Sequence, residues 1–472
     1  MFYRPENAVA ADVIPFYKNG EYYLFYLRDY RDLEKHGEGT PWCLLKTKDF
    51  VHFEDQDEVI ERGAQDEQDL YVFTGSVFEK DGVCYIFYTG HNPHFIEQGK
   101  PQECVMLATS TDMKTWKKEP DFKLGPTDFM EMHDFRDPFV FQEEESGKYI
   151  MLLATRQKEG ANERRGYTAY AVSDDLWNWE VKEEPFYAPG MYFTHECPDL
   201  FKLGEWWYLV FSEFTDKNLT HYRMAKNWNG PWITPKHDTF DNRNLYAAKT
   251  VSDGKDRYVI GWNPTNIDDK DYELEQWGGN VVVHKIIQQA DGQLMVDMPE
   301  TVREAYSEAV PCEVRSSCGF SEKTENGWSI GNANGYSDLI LGTLKDECKI
   351  SFEVTAAEGT HRFSVILNND EAVERGYYVD FDLIMQRMVF DRRLRKRNDH
   401  PFILETERKI EISENKTYQV ECLIDGPVLE VYFDHKVALS TRMNELKSDS
   451  FGFACVYGNV QITNLKVDTV RK

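Results

Sequence analysis

No apolar run in this chain approaches the 18 or more residues of a membrane-crossing helix. The first residues, MFYRPENAVAADV, have neither the basic stretch nor the apolar core of a secretory signal, so none is expected. There is no CxxC pair, and the nine cysteines are odd in number and scattered. That argues against a zinc ribbon or a disulfide framework and for reduced thiols, so a cytoplasmic location is expected. Basic residues are scarce relative to acidic ones: 54 Lys and Arg face 82 Asp and Glu, a net charge of −28. Such a surface repels phosphate backbones and anionic lipid, which disfavours nucleic acid and membrane partners. Phosphorylated substrates are disfavoured too unless a local basic pocket receives them. Long helical periodicity is also missing.

What the chain has instead is aromatic residues, 14% of the total, and a repeat. With 472 residues, two domains are expected. Five segments join a polar turn to an aromatic and apolar run: KNGEYYLFYL (18–27), KDGVCYIFYTG (80–90), ESGKYIMLLAT (145–155), LGEWWYLVFSE (203–213) and SDGKDRYVIGW (252–262). Aligned on Tyr23, Tyr85, Tyr149, Tyr208 and Tyr258 they are spaced by 62, 64, 59 and 50 residues. A second element, TKDFVHF, STDMKTW and SDDLWNW, recurs at intervals of 63 on Asp49, Asp112 and Asp175. Five units of about 60 residues, each with several strands, predict a five-bladed β-propeller rather than a solenoid of shorter repeats. The pattern ends near residue 302. Beyond it, alternating runs such as CKISFEV (348–354), GYYVDFD (376–382) and LEVYFD (429–434) predict a β-sandwich. The fold class is therefore all-β. A propeller is expected over 1–302 and a sandwich over 311–472, with the boundary between about 300 and 312.

About twelve residues before the aligned tyrosines lie Asp12, Asp137 and Glu196, in the first, third and fourth repeats. The second repeat has Phe73 and Thr74 there, and the fifth has Tyr246. Each acid is followed within three residues by a proline, Pro15, Pro138 or Pro198, as suits a strand start. Equivalent positions of innermost strands converge on a propeller axis, so the three carboxylates are expected at one mouth of the channel. Crowded carboxylates repel one another and raise at least one pKa, which separates a general acid from an ionised partner. Cleavage of a glycosidic bond needs such a pair.

On these motifs the chain resembles glycoside hydrolase family 32, the invertase, levanase and inulinase group. FRDPFVF resembles its Arg-Asp-Pro motif, HECPDLF its Glu-Cys motif, and FTGSVF its Phe-Ser-Gly-Ser stretch. QWGGNVVVHKII and LIDGPVLEVYFDHKVALSTR are similar to parts of the last blade and the C-terminal sandwich. The resemblance implies a retaining β-fructofuranosidase-like enzyme that acts on short oligosaccharides and needs no metal or cofactor. It implies Asp12 as nucleophile, Asp137 as transition-state stabiliser and Glu196 as general acid/base. Arg136, Thr74, Ser76 and Cys197 are implied at the substrate site; His195 is a candidate beside it, behind the residues that touch the sugar, and Trp42, Trp262 and Trp277 are candidates for its wall. The first motif departs from the family's Trp-Met-Asn-Asp-Pro-Asn-Gly: here AVAADVIPFY has Ala11 before Asp12 and no Pro-Asn-Gly after it. Two alternatives remain at this level, an inverting arabinofuranosidase- or xylosidase-type enzyme and a non-catalytic carbohydrate-binding protein. HNPH (91–94) reads as a rim loop, NIDDKDYELE (266–275) as a solvated loop, Asp112 and Trp116 as blade packing, and RRLRKRNDH (392–400) as a charged hairpin.

Overall fold

The computed structural model describes residues 1–370, 375–393 and 406–471. Its contacts divide the chain into two compact units. The first holds Tyr3–Pro264 and Trp277–Leu294; the second holds Thr265–Gln276 and the chain from Met295 onward. The first unit thus ends at Leu294 and leaves out residues 265–276, a narrower span than the expected 1–302.

Antiparallel up-and-down sheets build the first unit. The first blade is β1 (Val9–Lys18), β2 (Glu21–Asp29), β3 (Trp42–Thr47) and β4 (Glu54–Ile60). The second is β5 (Tyr71–Lys80), β6 (Val83–His91), β7 (Glu103–Ser110) and β8 (Lys117–Lys118). The third is β9 (Met130–Gln142), β10 (Tyr149–Gln157), β11 (Gly166–Ser173) and β12 (Trp179–Val181). The fourth has β13 (Glu196–Leu203), β14 (Trp206–Glu213) and β15 (Leu219–Ala225), with isolated bridges at its outer edge. The fifth has β16 (Tyr246–Ser252), β17 (Arg257–Asn266) and β18 (Glu275–Gln288). The innermost strands close a ring: β1 packs on β5, β5 on β9, β9 on β13, β13 on β16, and β16 back on β1. This is the five-bladed propeller that the repeat predicts.

Every innermost strand carries a one-residue bulge at the same register. Asp12 and Val13 fall between the pairs Ala11–Leu27 and Ile14–Phe25. The matching irregularities lie at Thr74, at Asp137 and Pro138, at Cys197 and Pro198, and at Ala247 and Ala248. In four of the five, the first bulged residue is left-handed: Asp12, Asp137, Cys197 and Ala247 have φ of 37°, 57°, 51° and 48°. A bulge bends its strand and re-aims a side chain. Glu196 therefore does not share the position of Asp12 and Asp137, as its count from the tyrosine implied; Cys197 does. Glu196 precedes the bulge, level with Arg136 and Tyr246.

Local turn chemistry explains the second repeated element. The Oδ1 of Asp49 accepts from the backbone N–H groups of Val51 and His52. Asp112 accepts likewise from Lys114 and Thr115, and Asp175 from Trp177 and Asn178. Asp112 thus forms a turn rather than packing a blade. Trp116 does pack, edge-on against Phe25 at 5.8 Å.

In the second unit, Ser450–Val470 passes from one sheet to the other. Its first half pairs with Arg362–Leu367 and its second with Glu347–Ala356. The core between the sheets includes Phe352, Phe363, Phe381, Phe433 and Phe453. Residues 267–270, 273 and 274 are exposed, as a solvated loop requires, but Asp271 is buried in this unit, accepting from the Tyr377 hydroxyl at 2.6 Å and the Asn444 N–H at 3.0 Å. Arg303 bridges Asp297 and Glu421 at 2.7 and 2.8 Å, with His435 on the same guanidinium. Of the basic run at 392–400, only Arg392 and Arg393 lie among the described residues.

The second blade tests the close packing of the bulges. A Cβ on Gly75 would lie 1.9 Å from the carbonyl oxygen of Phe87. Gly75→Ala is expected to destabilise the first unit by about 2 kcal/mol or more, read as a lower denaturation midpoint.

Candidate active site

The bulges align two tiers of positions across the five innermost strands. The bulge tier is Asp12, Thr74, Asp137, Cys197 and Ala247. The tier before it is Ala11, Phe73, Arg136, Glu196 and Tyr246.

Asp12 has a donor on each oxygen. The Thr74 hydroxyl donates to Oδ2 at 2.6 Å, and the Trp262 indole N–H donates to Oδ1 at 3.0 Å. Burial, reinforced by the nearby Asp137, pushes Asp12 up to about 6 despite these donors. Asp137 is set deeper, its side chain only 5% exposed. Its Oδ2 accepts from the backbone N–H of Cys197 at 2.8 Å, and its own N–H donates to the Thr89 hydroxyl at 2.8 Å. Burial raises its pKa, while Arg136, the Cys197 N–H and Lys249 pull the other way. Lys249 itself is buried and donates to the Pro198 carbonyl at 2.8 Å.

Glu196 is clasped by its neighbours in the same tier. Arg136 donates to Oε1 at 3.2 Å, and the Tyr246 hydroxyl donates to Oε2 at 2.7 Å. At 21% exposure its side chain still reaches solvent. Burial, with the nearby Asp137 and Asp12, pushes Glu196 up to about 7, against Arg136 and Tyr246. Arg136 is shared: it also donates to Glu103 at 3.2 Å, Asp134 at 2.9 Å and Thr194 at 3.0 Å. Burial opposes its charge, but the surrounding carboxylates raise its pKa. The Arg136 charge holds Glu103 below the usual range although burial opposes this.

The other expected site residues divide. Thr74 and Trp262 touch Asp12. Trp277 is 37% exposed, its ring 6.2 Å from that of Phe73, and its carbonyl accepts from Arg31. Cys197 contributes its backbone N–H; burial keeps its thiol protonated. Trp42 is fully buried, donates to the Phe73 carbonyl at 3.1 Å and packs on Phe25 and Tyr88. Ser76 lies between blades, accepting from the Val140 N–H at 3.0 Å. His195 is buried against Phe211 at 4.5 Å and near the Thr168 hydroxyl at 3.3 Å; burial, aided by Arg223 and His221, pushes it down to about 3, so it is neutral. The histidines of HNPH go to separate carboxylates, His91 to Glu103 and His94 to Glu38. Tyr246, Lys249, Thr89 and Glu103 were not among the expected site residues. Only Tyr246 carried a signal, its place in the repeat.

Residues 5–299 match the profile of the glycosyl hydrolases family 32 N-terminal domain, and residues 314–469 match that of the family 32 C-terminal domain. The chain belongs to glycosyl hydrolases family 32. As a family 32 member it is a glycoside hydrolase. It is 26% identical over 398 residues to a sucrose-6-phosphate hydrolase of Zymomonas mobilis, covering 79% of this chain and 72% of that one. It is 24% identical to a raffinose invertase of Escherichia coli, covering 63% of each chain. Among solved structures, fructan 1-exohydrolase IIa of Cichorium intybus superposes with a TM-score of 0.76 at 16% identity, covering 100% of this chain and 97% of that one. The exo-inulinase of Aspergillus awamori gives 0.75 at 17%, covering 100% and 98%.

The raised pKa of Glu196 makes one contribution to how stability depends on pH. Unfolded, the carboxyl ionises near its ordinary value of 4.5; folded, it holds its proton to about 7. This contribution to native stability is therefore lost as pH rises through this window and is not regained above it. Glu196→Gln keeps the neutral shape and removes the penalty. Its stability gain over the unmutated enzyme is expected to be near zero below pH 4.5 and to reach roughly 1–3 kcal/mol above pH 7, read by denaturant melts across pH.

Proposed function

We propose that this enzyme is a retaining, exo-acting β-fructofuranosidase-like hydrolase of short, unphosphorylated fructose-containing oligosaccharides. The observation that carries the reading is the unequal pair, Asp12 held by two donors and Glu196 lifted to about 7. At neutral pH Asp12 is mostly ionised, while Glu196 keeps a substantial protonated fraction. Asp12 attacks the anomeric carbon while Glu196 protonates the leaving oxygen. Water, deprotonated by the same Glu196, then releases the sugar from Asp12. Asp137 lies beside both and offsets positive charge as it develops on the ring. The names of the relatives support fructosides as the substrate class, since levanases and inulinases stand beside invertases and sucrose-6-phosphate hydrolases among them.

The preference for neutral sugars rests on the paired cations at the strand-start side of the blades. Arg31 pairs with Asp29 at 2.6 Å, Arg156 with Asp134 at 3.2 Å and Arg165 with Glu131 at 3.1 Å. A phosphate would have to compete with these carboxylates. The nine free cysteines, seven of them buried, suit a reducing compartment, and we place the enzyme in the cytoplasm.

Two measurements test this reading. Glu196→Gln is expected to lower kcat on unactivated substrates by about 10²–10⁴ while still binding sugar; near-normal turnover would overturn the assignment. NMR of the first-formed product anomer, over a panel that includes sucrose and its 6-phosphate, is expected to show retention and no preference for the phosphorylated sugar. Inversion, or a preference for the phosphate of about tenfold or more, would contradict it.

A further inference from the structure

The fifth blade supplies no carboxylate, yet it holds both reacting ones. Tyr246 on β16 and Trp262 on β17 are direct cross-strand partners, and their rings meet edge-to-face at 5.4 Å. The Tyr246 hydroxyl donates to Glu196 Oε2 at 2.7 Å, and the Trp262 N–H donates to Asp12 Oδ1 at 3.0 Å. Both rings are nearly buried.

We infer that the Tyr246–Trp262 pair is a positioning device that sets the acid/base and the nucleophile independently, one residue for each. The inference rests on the roles proposed for Asp12 and Glu196. Two aromatic side chains locked against each other on paired strands have little freedom, so the two donor atoms are fixed in one frame. Tyr246 and Arg136 each take one lone pair on opposite oxygens of Glu196, which leaves the other lone pairs for the proton that reaches the leaving group. Burial, with Glu196 beside it, raises the Tyr246 pKa well above the ordinary value, so the phenol donates throughout the working range and does not itself titrate. Trp262 can only donate. It fills one oxygen of Asp12 as Thr74 fills the other, so the remaining lone pairs are aimed by the two donors together. At this first motif Ala11, apolar and fully buried, offers Asp12 no side-chain donor, so the neighbouring blades supply both.

Removing a donor destabilises the carboxylate that it faced, so that carboxylate's pKa rises and the other's does not. Tyr246→Phe is expected to move the alkaline limb of the kcat/KM profile to higher pH and leave the acid limb in place. Trp262→Phe is expected to do the reverse, moving the acid limb to higher pH. Each should cost roughly tenfold to a hundredfold in kcat/KM at the optimum, the size of a lost hydrogen bond to a charged group. Limbs that stay in place, or that move together in both variants, would overturn the inference and reduce the pair to packing. Tyr246→Phe removes a single oxygen, so an unmoved alkaline limb in that variant decides against the inference even if the change at 262 unfolds the blade. Loss of turnover in Glu196→Gln with unmoved limbs in Tyr246→Phe would sink this inference alone, whereas a fully active Glu196→Gln would sink the roles on which it rests.

Discussion

One bulge, repeated at one register in five innermost strands, is the constraint from which the site follows. A regular strand sends successive side chains to opposite faces, so it offers the axis only every second residue. The extra residue breaks that alternation and lets two adjacent positions contribute to the site. This is why Glu196 and the Cys197 N–H can both serve it, and why Arg136 and Asp137 can too. Left-handed backbone at Asp12, Asp137 and Cys197 is unfavourable for such residues and persists because the packed ring around it leaves no alternative.

Electrostatics then divide the labour. Three carboxylates share a buried site with two cations, Arg136 and Lys249. The cations do not cancel the acids evenly. Arg136 also serves Glu103 and Asp134, and Lys249 spends a hydrogen bond on the Pro198 carbonyl. Burial is the largest cause of the rise at both reacting acids, lifting Glu196 to about 7 against Arg136 and Tyr246 and Asp12 to about 6 against Thr74 and Trp262. An acid that still carries a proton near neutrality beside a carboxylate that has lost its own is the arrangement that glycosidic cleavage uses. Its cost is stability at alkaline pH, as expected where function demands buried charge.

Much of this was legible in the sequence because repeats convert a position in the chain into a position in space. The tyrosine spacing pointed to five blades, and the acids counted back from it lie near one another on three innermost strands. The count erred by one residue at Glu196, since a bulge shifts register without changing composition. Trp42 and His195 could by type serve either the site or the packing around it, and burial places both in the packing. Lys249, Thr89 and Glu103 had no signal at all. Each matters through a partner far away in the chain, and pairing of that kind has no local pattern. In the loop at 266–275 the acidic character hides one residue, Asp271, whose partners lie more than a hundred residues on.

The central claim is that Asp12 forms the covalent bond and Glu196 handles the proton. Mass spectrometry of Glu196→Gln, quenched during reaction with a fructosyl substrate that has a good leaving group, tests it most directly. Such a substrate needs little acid help to react, and the missing base slows release of the intermediate. A single hexosyl adduct on the peptide that contains Asp12 is the predicted result. An adduct on the peptide with Asp137, or turnover with inversion and no adduct, would contradict it.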